Sequence, residues 1–131
     1  MKFLVVDDDK FFRIFLQKVL SQFGVCHTAY DGGEGLNAFR IALEDGDPYD
    51  YLFVDIMMPQ MNGHQMLETI RTMERNRGIM GGDGVKIVIT TGKEDAEECI
   101  RAFREGCEYF LVKPIQPADV LECLRELNAP V

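Results

Sequence analysis

Short apolar runs alternate along the chain with segments in which apolar residues recur every three or four positions. The uninterrupted runs are rich in β-branched and aromatic residues, which is typical of parallel strands covered on both faces. We predict five strands: Lys2 to Val6, Val25 to Tyr30, Tyr51 to Asp55, Val85 to Thr90 and Tyr109 to Val112.

The intervening segments have helical spacing. In the first, the apolar stripe comprises Phe12, Phe15, Leu16, Val19, Leu20 and Phe23, and Gly24 is placed to cap its C-terminal end. Further helices are predicted from about Glu34 to Leu43, from near Gly63, from about Glu94 to Glu105 and from Pro117. Repeated right-handed β-α-β crossovers predict an α/β fold, a three-layer α-β-α domain with a five-stranded parallel sheet. Periodicity leaves the strand order open between 2-1-3-4-5 and other doubly wound orders.

Length and charge narrow the possible functions. A chain of 131 residues suits a single domain, residues 1–131, and we expect a complete one-domain protein with a short tail at 128–131. The net charge of −8 argues against direct binding of nucleic acid and favours a protein partner or a bound cation. No apolar run could span a membrane and the chain does not begin like a secretory signal. Four cysteines without metal-site spacing fit buried thiols in a reducing cytoplasm.

Polar side chains follow four of the predicted strands. Asp7, Asp8 and Asp9 follow the first, Asp55 ends the third, Thr90 and Thr91 close the fourth, and Lys113 follows the fifth. Ligands of parallel sheets bind at the carboxyl ends of the strands. If the first and third strands are adjacent, their carboxylates suit Mg²⁺, which prefers hard oxygen ligands. One carboxylate could then act as a nucleophile toward phosphorus, with Lys113 and Thr91 contacting the transferred group.

These residues resemble the receiver domains of two-component response regulators over essentially the whole chain. The matching elements are the acidic pair after Val5-Val6, the segment from Asp55 to Gly63, the Thr91-Gly92 step and the stretch Phe110-Leu111-Val112-Lys113-Pro114. Each match is weak alone, but four in the right order at strand ends are specific. The resemblance implies the flavodoxin-like strand order 2-1-3-4-5 and a cis Lys113–Pro114 peptide.

The resemblance also implies a role for each matched residue. Asp55 is expected to accept a phosphoryl group from the phosphohistidine of a sensor histidine kinase or a histidine phosphotransfer protein. Mg²⁺ is expected to bind Asp8 directly and Asp7 through water, with Asp55 and the backbone carbonyl of Met57 as further metal-binding groups. Lys113 is expected to pair with Asp55 and then with the phosphoryl oxygens.

A conformational switch is the second implication of the resemblance. Thr91 is expected to turn its hydroxyl toward the phosphate, which the Gly92 backbone also contacts, and Phe110 to move inward behind it. This movement would change the surface of the fourth helix, the fifth strand and the last helix, and so control a downstream protein target. We expect the protein to act as a chemotaxis-type regulator or as an intermediate in a phosphorelay, and the sequence does not identify the target. The protein is expected to be a monomer or a phosphorylation-dependent dimer. We expect slow self-dephosphorylation rather than enzyme activity, because the bulky Met57 would shield the acyl phosphate; Lys93 is the second modulating position.

Several alternatives compete with these interpretations. Asp9 suits an N-cap of the first helix, and Phe110 could be a static core ring. The Asp7-x-Asp9 pattern admits a small haloacid-dehalogenase-like phosphatase with Asp7 as nucleophile, and a degenerate receiver could act as a constitutive binding module. His27 and His64 have no ligand partner at useful spacing. The cluster from Gly78 to Gly84 lacks phosphate-loop spacing and predicts a flexible surface loop.

Overall fold

A computed structural model describes residues 1–58, 60–92 and 106–131 of the chain. The strands are β1 (Lys2–Val6), β2 (Val25–Ala29), β3 (Tyr51–Asp55), β4 (Lys86–Thr91) and β5 (Tyr109–Val112). The helices are α1 (Lys10–Leu20), α2 (Gly32–Glu44), α3 (Gly63–Asn76) and α4 (Pro117–Glu126), and a 3-10 turn spans Gly81–Asp83. The helix predicted over about 94–105 lies outside the described residues and receives no label.

All five strands are parallel in the order β2-β1-β3-β4-β5, which confirms the flavodoxin-like arrangement. In this order β1 and β3 are neighbours, so their carboxyl ends lie side by side at the switch point of the sheet. Val6 pairs with Val54, and Asp55 pairs with Thr90 on the far side. The polar residues that follow the strands therefore lie together at the carboxyl edge of the sheet.

Each face of the sheet buries its own apolar core. Alternate strand residues pack beneath α2 and α3 in one core, which contains Val54 and Ile89, while the others pack beneath α1 and α4, as Phe53 and Val88 do. This two-sided burial explains why the strand sequences are apolar without alternation. No helix in the described part of the chain is long and apolar enough to cross a bilayer.

Side-chain caps fix where three of the helices begin. Asp9 accepts hydrogen bonds from the backbone N–H groups of Phe11 and Phe12, so its predicted capping role is confirmed. Asp31 caps α2, which therefore begins at Gly32, earlier than the periodicity indicated. Asn62 forms a reciprocal capping box with Gln65 at the start of α3.

The predicted cap at Gly24 is wrong. The helix α1 ends at Leu20, and the Ser21 N–H bonds to the carbonyl of Gln17. Gly24 instead lies against the start of the chain, where an added Cβ would be 2.1 Å from the carbonyl oxygen of Met1. Its small size allows β2 to begin beside the chain terminus.

Candidate functional site

The acidic residues predicted to converge at the sheet edge do so. Carboxylate oxygens of Asp7, Asp8 and Asp55 all lie within 4.8 Å of one another. Asp7 and Asp55 are buried, at 1% and 8% exposure, whereas Asp8 is exposed to solvent. Two buried carboxylates and one accessible carboxylate thus form a compact oxygen cluster above β1 and β3.

Backbone N–H groups orient the two buried carboxylates. The Asp9 N–H donates to Oδ1 of Asp7 at 2.8 Å, and the Met57 N–H donates to Oδ1 of Asp55 at 3.1 Å. In each residue the second oxygen, Oδ2, faces Lys113. Both side chains are therefore held in one orientation by the loops that follow their strands.

Lys113 reaches the cluster from the end of β5. Its Nζ donates to Oδ2 of Asp7 at 3.0 Å and lies 3.6 Å from Oδ2 of Asp55. The Lys113 N–H bonds to the carbonyl of Thr91 at 2.7 Å, and the peptide to Pro114 is cis, as the resemblance implied. The sheet order thus brings together residues that are 106 positions apart.

The pKa of Asp55 is raised to about 6, chiefly by burial. The hydrogen bond from the Met57 N–H lowers this pKa, the charge of Asp7 raises it, Lys113 lowers it and Asp8 raises it. Burial likewise raises the pKa of Asp7, against the Asp9 N–H and Lys113, which lower it. Burial lowers the pKa of Lys113, but Asp55 and Asp7 raise it by more, so it lies above its ordinary value. Three carboxylates face one ammonium in this cluster, so a further cation would stabilise their charged forms.

The donor set of the cluster fits a hard divalent cation. Three carboxylates supply only oxygen ligands, and the exposed Asp8 leaves one side open to water. Mg²⁺ binds through one or two carboxylates, retains several waters and takes phosphate oxygens as further ligands. The described residues here fit that ion better than Zn²⁺, which prefers nitrogen and sulfur.

Thr91 and Phe110, the predicted switch residues, lie on neighbouring strands, where Ile89 pairs with Phe110. Thr91 is 1% exposed, and its hydroxyl donates to the carbonyl of Gly92 at 3.1 Å. Phe110 is 37% exposed, so its ring lies partly at the surface. The hydroxyl is thus buried and the ring partly exposed, on neighbouring strands.

Met57 lies beside the cluster with a side chain that is 54% exposed, while its N–H contacts Asp55. Lys93, the other residue predicted to modulate hydrolysis, lies outside the described residues. So does Pro59, in the matched segment after Asp55.

Three residues near the cluster were not predicted as site residues. Phe12 places its ring 4.4 Å from Nζ of Lys113, and Arg13 donates to the backbone carbonyl of Asp7 at 2.7 Å. Thr90 has the one buried side-chain polar atom without a hydrogen-bond partner among the described residues. Phe12 and Arg13 lie close in sequence to the acidic triplet, which could have indicated that they are near the site. Phe12, however, also fits the apolar stripe of the first helix.

The arrangement does not favour a phosphatase with Asp7 as nucleophile. Both oxygens of Asp7 have partners, Asp9 and Lys113, and the carboxylate of Asp9 caps α1. Comparisons with known proteins give that alternative no support either.

The model of the response regulator receiver domain matches residues 3–125 of the chain. Among curated relatives, a hybrid signal transduction histidine kinase L of Dictyostelium discoideum is 32% identical over 95% of this chain, and the chain spans only 7% of that protein's length. The chemotaxis protein CheY of Thermotoga maritima is 28% identical over 95% of each chain.

Solved structures agree with the sequence relatives. A response regulator receiver domain protein of Clostridium thermocellum superposes with a TM-score of 0.78 at 26% identity, covering 95% of this chain and 91% of the other. Together with the strand order and the oxygen cluster above β1 and β3, these matches show that the chain belongs to the response regulator receiver domain family.

Proposed function

We propose that Asp55 accepts a phosphoryl group from the phosphohistidine of a sensor histidine kinase or of a histidine phosphotransfer protein. The observation that carries this proposal is the Asp55 carboxylate, which is oriented through Oδ1 and presents Oδ2 to Lys113. A carboxylate oxygen attacks phosphorus, the P–N bond of the donor breaks, and the histidine nitrogen keeps the electron pair. Positioning and charge neutralisation supply most of the catalysis in such transfers.

The oxygen cluster would hold Mg²⁺ during this reaction. Asp8 and Asp55 would bind it directly, Asp7 through water, and the carbonyl of Met57 would add a ligand. When bound, the ion neutralises charge on the phosphoryl oxygens. Lys113 would then share its ammonium between Asp7, where it is held at 3.0 Å, and an oxygen of the phosphoryl group.

Phosphorylation would act as a switch through local charge and packing. It adds about −1.5 to −2 charges and strong acceptor oxygens at Asp55. The Thr91 hydroxyl would leave the Gly92 carbonyl for the phosphoryl group, the Gly92 backbone would contact the same group, and Phe110 would fill the space behind Thr91. The equilibrium shifts only by the difference in interaction free energy between the two states.

The surface that changes would include α4 and β5, and in β5 Phe110 and Val112 are 37% and 40% exposed. A downstream protein target, or a second copy in a phosphorylation-dependent dimer, would recognise it. The net charge of −8 disfavours nucleic acid as a direct partner. The proposal also includes a cytoplasmic location and a receiver domain that switches without further enzyme activity.

Intact-mass measurement after incubation with acetyl phosphate and Mg²⁺ tests the phosphoacceptor. One phosphoryl adduct is expected in the wild-type protein and none in Asp55→Asn or after Mg²⁺ is chelated. Asp9→Asn is the matched control, because Asn caps helices as well as Asp and Asp9 lies outside the oxygen cluster. An adduct on Asp55→Asn, or no adduct on the wild type, would contradict the proposal.

A tryptophan in place of Phe110 tests the switch, because the chain contains no other tryptophan. Emission of Phe110→Trp should shift to shorter wavelength when Asp55 is phosphorylated, since the ring leaves water. The shift should be lost in the double variant with Thr91→Ala and kept in the one with Thr90→Val. An unchanged emission spectrum in phosphorylated Phe110→Trp would show that this position is a static ring.

A further inference from the structure

Phe12 is held rigidly at the edge of the oxygen cluster. Its backbone N–H lies in the first turn of α1 and donates to the Asp9 carboxylate at 3.4 Å. Its ring is half-buried against the core beneath α1 and α4, at 6.0 Å from the ring of Phe15. Cap and core together fix the direction in which this aromatic face points.

The ammonium of Lys113 lies over that face. Its Nζ is 4.4 Å from the centre of the Phe12 ring, within the range of a cation–π contact. The same Nζ lies 3.0 Å from Asp7 and 3.6 Å from Asp55. Two carboxylates and one ring therefore define the position of a charge carried on a flexible four-carbon stem.

We propose that Phe12 is a positioning residue for the phosphorylation of Asp55, acting by holding the Lys113 ammonium between its ring face and the two buried carboxylates. Lysine is a compact point charge whose stem has many rotamers, so it fixes its own direction poorly. With the ring in place, the ammonium has one side against an aromatic face and the other toward the carboxylates. The negative face of the ring attracts the cation. The donor hydrogens on the side away from the ring then point toward carboxylate or phosphoryl oxygens.

This inference rests on the proposed function, because it assumes that Lys113 contacts the transferred phosphoryl group. It adds a residue whose contribution depends on the electrostatics of a ring and not only on its volume. That difference allows a test that separates positioning from packing.

Fluorination of the ring at position 12 provides the test, since fluorine withdraws charge from the ring face with little change in shape. Full-length protein would carry Phe12 replaced in turn by 4-fluoro-, 3,5-difluoro- and 3,4,5-trifluorophenylalanine. The rate constant for phosphorylation by acetyl phosphate at saturating Mg²⁺ should fall stepwise, by about two- to fivefold across the series. The same series at Phe15 is the control, since it perturbs the same core and should leave the rate unchanged.

A second measurement needs no phosphorylation. The Nζ resonance of Lys113 in nitrogen NMR spectra should shift stepwise with fluorination at position 12 and stay constant with fluorination at position 15. Phe12→Leu should slow phosphorylation as much as the trifluoro ring does. Phe12→Tyr keeps an aromatic face and should have the wild-type rate. A flat rate and a flat Lys113 resonance across the position 12 series would overturn the inference. A wild-type protein that takes no phosphoryl group would instead overturn the proposed function.

Discussion

Thr90 and Thr91 are consecutive in β4, yet they belong to opposite faces of the sheet and differ in hydrogen bonding. Thr91 donates to the carbonyl of Gly92 at 3.1 Å, whereas Oγ1 of Thr90 has no partner among the described residues. Both side chains are 1% exposed. Thr90 lies on the same face of the sheet as Val88, and it pairs with Asp55 on one side and with Leu111 on the other.

Valine at these two positions should therefore change stability in opposite directions. Thr90→Val removes a buried hydroxyl without a partner and should raise the free energy of unfolding by about 1 kcal/mol. Thr91→Val removes a hydrogen-bonded hydroxyl and should lower it by about 1 kcal/mol. Urea unfolding of the Mg²⁺-free protein measures both. Equal effects of the same sign would show that the Thr90 hydroxyl has a partner in solution.

Arg71 joins α3 to the end of the sheet at which β4 and β5 begin, away from the carboxylate cluster. It lies 2.7 Å from Glu74 and 2.8 Å from Glu108, and it also donates to the carbonyl of Gly106. Arg71→Ala should lower the free energy of unfolding by about 3 kcal/mol, because it leaves the buried Glu74 without its charge partner.

Arg40→Ala is the matched control for that change. Arg40 pairs with Glu44 on the outer side of α2, where both side chains are nearly half exposed. Its loss should cost no more than about 0.5 kcal/mol. Comparable losses from the two arginine variants in urea titrations would refute the assignment of Arg71 as a buried anchor.

The glycine-rich loop before β4 packs closely on Glu74. An added Cβ at Gly84 would lie 2.5 Å from both carboxylate oxygens of Glu74, one of which accepts the Val85 N–H. Gly84→Ala should therefore lower the free energy of unfolding by about 1–3 kcal/mol. Gly82→Ala should not lower it, since the nearest atom to that Cβ is Nζ of Lys86 at 3.9 Å. Thermal unfolding of the two variants measures this difference, and equal midpoints would contradict the predicted close packing at Gly84.

Burial raises the pKa of the Cys123 thiol to about 12. The thiol of an unfolded chain titrates near pH ~8.5. Since the folded state keeps its proton to higher pH, this stabilisation is complete below about pH 8.5 and is lost as pH rises toward the folded pKa. The free energy of unfolding should decline less steeply above about pH 9 in Cys123→Ala than in wild type, by up to about 1.4 kcal/mol per pH unit.

Val120→Ala provides the reference for that experiment. It also removes a buried side chain from α4, but the side chain carries no proton. Urea titrations at several alkaline pH values should give it the wild-type slope against pH. If Cys123→Ala also kept the wild-type slope, the thiol would ionise equally in both states.

Met57→Asn tests the expected lifetime of the phosphorylated state. The exposed Met57 side chain lies next to Asp55 and would hinder water from reaching an acyl phosphate there. The smaller, polar Asn should speed loss of the adduct severalfold, measured by intact mass after acetyl phosphate is removed. Unchanged or slower decay would rule out shielding by Met57.

Residues at strand ends were the most predictable part of the site. Asp7, Asp55 and Lys113 each follow an apolar run, and parallel strands bring such positions to one edge whatever the strand order. The order itself needed the structure or the family resemblance, because periodicity within a strand contains no information about its neighbours. The convergence within 4.8 Å follows from the crossing of β1 to β3.

Residues with a second role inside a regular pattern were missed. Phe12 fits the apolar stripe of α1, so its contact with Lys113 could not be separated from ordinary core packing. Glu74 is a charged residue on an amphipathic helix, which indicates exposure, yet it is 4% exposed because the loop before β4 folds over it. In both cases the partner is distant in sequence, and only the folded chain shows the contact.

The cap at Asp9 ties the register of α1 to the chemistry of the sheet edge. Asp7 and Phe12 both contact Nζ of Lys113, and Asp9, which lies between them in the sequence, caps α1. A helix rotates by about 100° per residue, so one residue inserted between Asp9 and Phe12 would move the aromatic ring to another side of the helix. The number of residues between the acidic pair and the ring is therefore constrained by geometry. A substitution at one of these positions would leave the ring on the side of Lys113, whereas an insertion in the helix would move it away.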